Sequence, residues 1–143
     1  MSLTIKVKKL SPEARLPKYV HPGDAGMDVY AISKSETDKY VEYGTGLSFE
    51  LPAGHMLLLY PRSSVTNTDL TLANSVGVLD SGYRGELKLR FRRSGKSDYN
   101  VGDRIGQIII LPFPQVEFAE VAELSVSERG SGAFGSTGIN NVL

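Results

Sequence analysis

Short stretches of alternating apolar and polar residues recur along this sequence. Residues 3–7 alternate in this way, and ELKLRFRR (86–93) does so more strictly, with Leu87, Leu89 and Phe91 on one side. A period of two is typical of a strand with one buried face. We therefore expect strands at both places, the second with its cationic side chains directed away from the core.

Longer apolar runs predict further strands. HMLLLY (55–60) and RIGQIIILP (104–112) are continuous enough to be strands that are covered on both faces. VEFAEVAEL (116–124) fits a strand or a helix by its pattern, and Pro112 and Pro114 before it favour a strand.

The remaining segments contain little helical pattern. SSVTNTDL (63–70) predicts one short helix, capped by Ser63 or Ser64. Many short strands without alternating helices indicate an all-β fold, either a barrel or a jelly roll. We expect one β-barrel domain over residues 1–127, followed by a glycine-rich arm over residues 128–143.

Composition narrows the function classes. The 143 residues fit one domain, and 16 basic residues balance 16 acidic ones, so no long-range field favours binding to nucleic acid or to an anionic membrane. Without cysteine there is neither a disulfide framework nor a thiolate site, and His21 and His55 are too far apart to indicate a metal site. No apolar run resembles a signal peptide or a membrane span, so we expect a soluble intracellular protein, cytoplasmic or, in a eukaryote, nuclear.

The glycine-rich segment RGSGAFGSTG (129–138) raises a chemical question. Gly130, Gly132 and Gly135 have the G-x-G-x-x-G spacing of a dinucleotide-binding loop, but that loop opens a helix, for which the sequence to Leu143 leaves no room. A flexible end is one alternative. A cation and an aromatic residue among glycine amides, which can cradle an anion, instead favour a segment that closes over a nucleotide.

Four further polar segments, three of which contain glycine, interrupt the apolar runs: PGDAGMDVYA (22–31), PRSSVTN (61–67), GVLDSGYRGE (77–86) and GDRIGQ (102–107). Each alone is compatible with a simple turn. Together with the tail, and in this order, they resemble the five motifs of the trimeric dUTP pyrophosphatases (dUTPases). The resemblance implies a jelly-roll-type β-barrel, a homotrimer whose subunits share active sites, and Mg²⁺-dependent hydrolysis of dUTP to dUMP and pyrophosphate. That reaction limits uracil in DNA and supplies dUMP for thymidylate synthesis.

The resemblance also assigns roles to residues. Asp80 matches the catalytic aspartate, a carboxylate that is ionised at neutral pH and can orient a water for attack on the α-phosphate. Tyr83 matches the tyrosine against which the deoxyribose packs, and Phe134 the aromatic residue that stacks on uracil when the arm closes. Asp28 matches the motif-one aspartate, which is either an outer partner of Mg²⁺ through water or half of a salt bridge with an arginine such as Arg84.

The other expected substrate contacts are of two kinds. Backbone groups of the hairpin before Asp80 are expected to read uracil, and donors in motifs two, four and five to bind the triphosphate. The hairpin residues are Asn74, Gly77, Val78 and Leu79. The triphosphate residues are Arg62, Ser63, Ser64, Gln107, Arg129, Gly135, Ser136 and Thr137.

Ser64, Leu79, Gly106 and Ala133 differ from the residues that are commoner at the matching motif positions of the family. Ala133 is the most consequential of these, because alanine resists positive φ and would stiffen or reshape the closing arm. Two rival functions stay open. One is that of the related dCTP deaminases, although Arg90 stands where their catalytic glutamate is found, and the other is a catalytically silent nucleotide-binding protein on the same barrel.

Overall fold

The computed structural model describes residues 2–139, which form nine strands and one short helix. The strands are β1 (Lys6–Lys9), β2 (Met27–Tyr30), β3 (Ser33–Glu36), β4 (Val41–Glu50), β5 (His55–Tyr60), β6 (Leu70–Leu72), β7 (Gly77–Leu79), β8 (Glu86–Arg93) and β9 (Arg104–Pro112). A 3₁₀ helix, Ser63–Asn67, lies between β5 and β6. Within residues 2–139, no helix is long and apolar enough to cross a membrane.

The strands pair antiparallel in two sheets. One sheet has the order β1-β4-β8-β6, and β3 pairs with the first half of β4 while β1 pairs with its second half. The other sheet has the order β2-β9-β5-β7. Two antiparallel sheets around one core confirm the predicted all-β, jelly-roll-like fold.

The core combines side chains from both sheets. Tyr43, Phe91 and Leu89 contribute from the larger sheet, and Leu57 and Ile108 from the smaller one, each with 1% of its surface or less exposed. The alternation on β8 is as predicted, since its apolar residues are buried while the cationic residues between them are exposed. The outer faces of β5 and β9 are half-buried within the chain, so these two strands are less completely covered than their apolar runs predict.

Three local predictions need correction. The first strand begins at Lys6 rather than at residue 3, and Leu3 is half exposed. No strand forms over residues 116–124, because within the described part of the chain no other strand pairs with this segment, and Phe118 is almost fully exposed. The short helix ends at Asn67, where the chain extends toward β6.

The predicted serine cap of that helix is also wrong. The N-cap residue is Arg62, and it makes no side-chain capping hydrogen bond. The Ser64 hydroxyl instead faces the Arg62 guanidinium, with Nη1 of Arg62 at 3.0 Å from Oγ. At the start of this helix, the Arg62 and Ser64 side chains therefore contact each other and do not cap the free backbone amides.

Candidate active site

A cavity of about 500 Å³ lies beside the loop that connects β7 to β8. All of the residues predicted in this region line it, namely Asn74, Gly77, Val78, Leu79, Asp80 and Tyr83. The structure thus brings the predicted catalytic aspartate, the predicted sugar platform and the predicted base-reading hairpin to one concave site.

A tight turn fixes Tyr83 close to Asp80. The Tyr83 amide donates to the Asp80 carbonyl at 3.1 Å, and the Tyr83 hydroxyl donates to the Glu86 carbonyl at 3.0 Å. Glycine at position 85 is required for this fold-back, since a Cβ there would overlap the Tyr83 hydroxyl. Tyr83, which is 46% exposed, is therefore held at the cavity wall.

The short strand β7 forms the edge of its sheet. It pairs with β5 on one side, with Val78 opposite Leu58, and on the other side no strand of the described residues 2–139 pairs with it. An edge strand offers amide and carbonyl groups to a ligand. Gly77 allows the close approach to β5, because a Cβ there would lie 3.0 Å from that of Leu59.

A charged cluster that sequence reasoning missed forms another part of the cavity wall. Glu42 accepts hydrogen bonds from Lys88 at 3.1 Å and from Arg90 at 2.6 Å. The Arg90 guanidinium, with Lys88 beside it, holds the pKa of the Glu42 carboxyl below its usual range. The residue that stands at the deaminase glutamate position is therefore a cation committed to Glu42. The alternation in β8 predicted that Arg90 is exposed, but no local pattern could identify its partner, Glu42 on β4.

A second cluster forms around Asp28 at the junction of β2 and β9. Asp28 lies opposite Gln107 in the strand register. Its Oδ1 accepts from Nε of Arg62 at 2.8 Å, and its Oδ2 accepts from Nη1 of Arg104 at 3.1 Å. The salt-bridge alternative for Asp28 is thus right in kind, but its suggested partner is wrong, because Arg84 donates to the carbonyls of its own loop.

Gln107 is fixed in the same cluster. Its Nε2 donates to the Pro61 carbonyl at 3.0 Å, immediately before Arg62. Gly26 leaves the room for this side chain, since a Cβ at position 26 would lie 2.5 Å from Oε1 of Gln107. Motifs one, two and four, which are distant in sequence, therefore meet through specific polar contacts. Arg104 belongs to motif four but was not singled out from the sequence.

Behind this cluster lies a buried tyrosine, Tyr99, that the sequence gave no reason to select. Its hydroxyl is 3.2 Å from Oγ of Ser64. Its amide donates to the Tyr43 hydroxyl at 3.1 Å, and its carbonyl accepts from that hydroxyl at 2.8 Å. Burial raises the pKa of Tyr43 to about 12, so this hydroxyl stays protonated at ordinary pH. Ser63, next to Ser64, is exposed on the helix.

The cavity beside Asp80 and the cluster around Asp28 lie at opposite ends of β5. Leu79 pairs with Leu57, so Asp80 follows beside Met56, and Arg62 is six residues further along the chain. At about 3.3 Å per residue this places Asp80 and Arg62 roughly 20 Å apart along the strand direction. Within one chain, Asp80 and Arg62 are too far apart to contact the same phosphate group.

In the single chain, the arm residues lie outside both the cavity beside Asp80 and the cluster around Asp28. Between Ser127 and Gly138 the backbone forms successive turns, and Nε of Arg129 donates to the Gly132 carbonyl at 2.9 Å. Phe134, Ser136 and Thr137 are exposed, as is Gly135. In the described chain, none of these residues lines the cavity beside Asp80.

The backbone of the arm is strained at an unexpected residue. Phe134 has φ of 47°, followed by Gly135 at 86°, whereas Ala133 does not adopt a positive φ. The expected conflict at Ala133 therefore does not arise in this conformation. The aromatic residue occupies the left-handed region instead, which costs about 1–2 kcal/mol for a residue with a Cβ.

A protein-built metal cage is absent from the described part of the chain. Residues 2–139 contain no group of three or more His, Cys, Asp or Glu side chains that could hold a metal ion. A Mg²⁺ ion bound by substrate phosphates and waters needs few protein ligands. A carboxylate has about four acceptor positions, so Asp28 can hold both arginines and still accept a hydrogen bond from a metal-bound water. The donor set thus fits a substrate-borne ion.

Comparison with known proteins agrees with this geometry. The dUTPase family model matches residues 12–138. The chain belongs to the dUTPase family. A deoxyuridine 5'-triphosphate nucleotidohydrolase from Clostridioides difficile is 43% identical over 142 residues, which cover 94% of this chain and 97% of that protein. The enzyme of the same name from Clostridium acetobutylicum is 39% identical and covers 96% of this chain and 98% of its own.

Solved structures of this family share the fold. A mutant dUTPase of Staphylococcus bacteriophage 80alpha with dUpNHpp superposes with a TM-score of 0.83 at 29% identity, covering 96% of this chain and all of that one. A mutant dUTPase from phage phi11 of S. aureus, described for its coordination of a structural Mg(II) ion, gives a TM-score of 0.71 at 26% identity and covers 84% and 97%. This dUTPase family member is a hydrolase of nucleotide metabolism, a dUTP diphosphatase.

Proposed function

We propose that Asp80 acts as the general base in hydrolysis of dUTP at the α-phosphate. Its carboxylate orients a water and accepts its proton while the water oxygen attacks phosphorus. The bond to the β-phosphate oxygen breaks, and dUMP and pyrophosphate leave. The observation that carries this proposal is the position of Asp80 in the same cavity as Tyr83 and the β7 edge.

Base and sugar selection use different parts of this cavity. The outer edge of β7, from Asn74 to Leu79, offers amides and carbonyls to the uracil edge, and a base with the wrong pattern would leave these groups unpaired. The exposed Tyr83 ring packs against the deoxyribose and leaves no space for a 2′-hydroxyl. Phe134 then stacks on uracil when the arm closes.

The triphosphate is bound by donors from the other cluster and from the arm. Arg62, Ser63, Ser64 and Gln107 provide the first set, and Arg129, Gly135, Ser136 and Thr137 provide the second. Phosphoryl transfer depends mainly on neutralising charge and holding the reacting groups in line. These residues supply the cations, hydroxyls and amides that such a site needs.

The enzyme functions as a homotrimer whose subunits share active sites. Asp80 and Arg62 lie roughly 20 Å apart along β5, so a site that uses both is completed by another copy of the chain. The extended segment after β9 also favours association, since Phe118 and Leu124 are 97% and 88% exposed, more apolar surface than an isolated chain normally leaves in water. Residues 1–127 are assigned to the barrel unit and residues 128–143 to the arm that reaches a neighbouring site, of which residues 140–143 lie outside the described part of the chain.

Mg²⁺ would be held by the three phosphates, with Asp28 accepting a hydrogen bond from one of its waters. Bound there, the ion supplies neutralisation of the phosphate charge. By removing dUTP, the enzyme would limit uracil in DNA and supply dUMP for thymidylate synthesis. These roles are expected to be exercised inside the cell.

The reaction is tested by incubating the purified protein with dUTP, dCTP, dTTP and UTP in the presence of Mg²⁺ and resolving the products. Release of dUMP and pyrophosphate from dUTP alone is expected. Conversion of dCTP would instead indicate deamination, and binding without turnover would indicate a regulatory protein.

The role of Asp80 is tested separately with Asp80→Asn, which keeps the shape of the side chain and removes its basicity. This variant should bind a non-hydrolysable dUTP analogue with nearly unchanged affinity and turn dUTP over roughly 10²- to 10⁴-fold more slowly. Ser81→Ala, a small change at the neighbouring residue, serves as the matched control. Normal turnover by Asp80→Asn would overturn the assignment.

A further inference from the structure

A continuous set of polar contacts connects the Asp28 cluster to the aromatic core. Arg62 donates through Nε to Asp28 at 2.8 Å and through Nη1 to Oγ of Ser64 at 3.0 Å. Oγ of Ser64 lies 3.2 Å from the hydroxyl of Tyr99. The guanidinium is thus held at two points, by a carboxylate on β2 and by a hydroxyl that is itself in contact with a buried tyrosine.

The Tyr99 hydroxyl occupies a fixed position. The Tyr99 ring packs edge to face against Tyr43 and Phe91, with ring centroids 6.2 and 6.1 Å apart. The Tyr43 hydroxyl binds both the amide and the carbonyl of Tyr99, so the backbone is clamped as well. Only 7% of the surface of Tyr99 is exposed. The network therefore begins from the buried aromatic core.

Ser64 is suited to act as a bridge between the buried Tyr99 hydroxyl and the guanidinium of Arg62. Its oxygen accepts the Arg62 N–H and retains a second lone pair and a proton for the Tyr99 hydroxyl. Glycine, which is frequent at this position in the family, would have no group to take part. The Ser64 hydroxyl is thus occupied by protein partners before any phosphate arrives.

Arg62 keeps donors for a phosphate under this arrangement. The contacts to Asp28 and Ser64 use two of the five N–H groups of a guanidinium. The remaining groups suit bidentate binding of a phosphate, which depends on the orientation of the planar fork. A guanidinium fixed in advance binds more tightly than one that must be ordered on binding.

We propose that Tyr99 is a positioning residue for triphosphate binding, acting through Ser64 to orient the Arg62 guanidinium. The inference rests on the proposed function of Arg62 and extends it in two ways. It assigns a role to a buried residue outside the five motifs that carry the predicted contacts. It also revises the role proposed above for Ser64, which supports Arg62 instead of donating directly to a phosphate.

The test compares ligands with different numbers of phosphates. In Tyr99→Phe, which removes the hydroxyl and keeps the ring, the Kd for α,β-imido-dUTP should rise about 2- to 10-fold, the loss of one hydrogen bond between neutral hydroxyls. The Kd for dUMP should stay within about twofold, because the change concerns the triphosphate donor. A general loss of structure would weaken both ligands together. Equal affinity of Tyr99→Phe and the parent protein for the imido analogue would overturn the proposal.

A double-mutant cycle separates a bridge from two independent contacts. Ser64→Ala alone should raise the Kd for the imido analogue by a similar factor. The double variant Ser64→Ala/Tyr99→Phe should bind the analogue with the same Kd as Ser64→Ala. Fully additive losses would contradict the proposal. Tyr19→Phe is the matched control, since Tyr19 is 55% exposed and lies outside the five motifs.

A measurement on the nucleotide-free protein covers the case in which Tyr99→Phe does not fold. The ¹⁵Nε–H signal of Arg62 should be sharp in the parent and broadened or lost in Ser64→Ala, because the guanidinium is no longer held at Nη1. A direct phosphate role for Ser64 would leave this signal unchanged and would overturn the proposal. Failure of the parent itself to bind the imido analogue would instead count against the proposed function.

Discussion

Nε of Arg62 lies 2.8 Å from Oδ1 of Asp28, joining the segment after β5 to β2. Arg104 binds the other oxygen of the same carboxylate. Two cations around one anion leave a net positive charge at the junction of β2 and β9, which is where a triphosphate is proposed to bind. Asp28 therefore both orients Arg62 and limits the repulsion between the two guanidinium groups.

Replacing Asp28 by asparagine tests its second proposed role, toward Mg²⁺. Asp28→Asn keeps one acceptor oxygen for Arg62 but has lost the charge that attracts a metal-bound water, so the Mg²⁺ concentration for half-maximal activity should rise several-fold. Because the ion pairs are partly exposed, the free energy of unfolding should fall by no more than about 1 kcal/mol. Activity measured against a Mg²⁺ titration checks this.

Asp38→Asn, a charge-matched change in the exposed turn between β3 and β4, is the control for the Mg²⁺ titration and should leave the requirement unchanged. If Asp28→Asn raises the KM for dUTP while its Mg²⁺ requirement stays that of the parent, Asp28 serves only to hold Arg62. The proposed contact with a metal-bound water would then be wrong.

Gly26 provides a test of the position of Gln107. A Cβ at position 26 would lie 2.5 Å from Oε1 of Gln107, so Gly26→Ala should displace that side chain and break its hydrogen bond to the Pro61 carbonyl. We expect a raised KM for dUTP and a loss of about 1–2 kcal/mol in the free energy of unfolding. Urea denaturation and steady-state kinetics measure the two effects.

Gly82→Ala is the matched control for the loss in stability, since a Cβ there would meet no atom within 4 Å. It should unfold at the same urea concentration as the parent protein. If Gly26→Ala left both stability and KM unchanged, Gln107 would not need the position that the structure gives it.

The fold could be predicted from local patterns because these patterns act within single strands. The alternation of Leu87, Leu89 and Phe91 gives the buried face of β8 directly, and it is observed. The strand predicted over residues 116–124 is not observed, because a strand also needs a partner strand. The apolar residues of this segment are exposed in the chain. A sequence pattern shows that a segment can pair but not whether another strand of the same chain is available.

The candidate site was predictable only as far as it is recorded in short motifs. Asp80 and Tyr83 lie three residues apart, and their turn places them together in the cavity. The partners of Asp28 could not be chosen from the sequence, since Arg62, Arg84 and Arg104 are chemically equivalent there. Only the folded chain shows that Arg62 and Arg104 reach the carboxylate, whereas Arg84 donates to its own loop. Tyr99 had no sequence signal, because its role depends on what the fold places behind Ser64.

Removal of the arm tests whether it serves catalysis rather than folding. Among the described residues, the hydrogen bonds of 129–138 stay within this segment and Ser127. A chain that ends after Ser127 should therefore fold with nearly unchanged thermal stability and still form the proposed trimer. Its kcat/KM for dUTP should fall roughly 10- to 100-fold, since the base–aromatic contact of Phe134 is lost. Light scattering and steady-state kinetics measure the two properties.

The substitution Phe134→Ala in the full chain is the companion variant, because it removes the stacking ring and leaves the rest of the arm. It should account for a large part of the loss in kcat/KM. A truncated chain that is monomeric or unfolded would show that the arm is structural, and the proposed closure would have to be abandoned.

Stability in acid should depend on Asp98, which is paired with Lys34 at 2.8 Å and with Arg93. The Lys34 ammonium, followed by Arg93, lowers the pKa of the Asp98 carboxyl below its ordinary value of 3.8. A lowered folded-state pKa means that the unfolded chain takes up the proton first as pH falls. The stabilisation is therefore present at neutral pH, begins to decline near pH 4, and is lost as pH falls through the folded-state pKa.

Asp98→Asn should unfold more easily at pH 7 and show a flatter dependence of thermal stability on pH below 4, whereas Asp38→Asn should follow the parent. An unchanged acid profile in Asp98→Asn would show that this pair contributes nothing to the folded state.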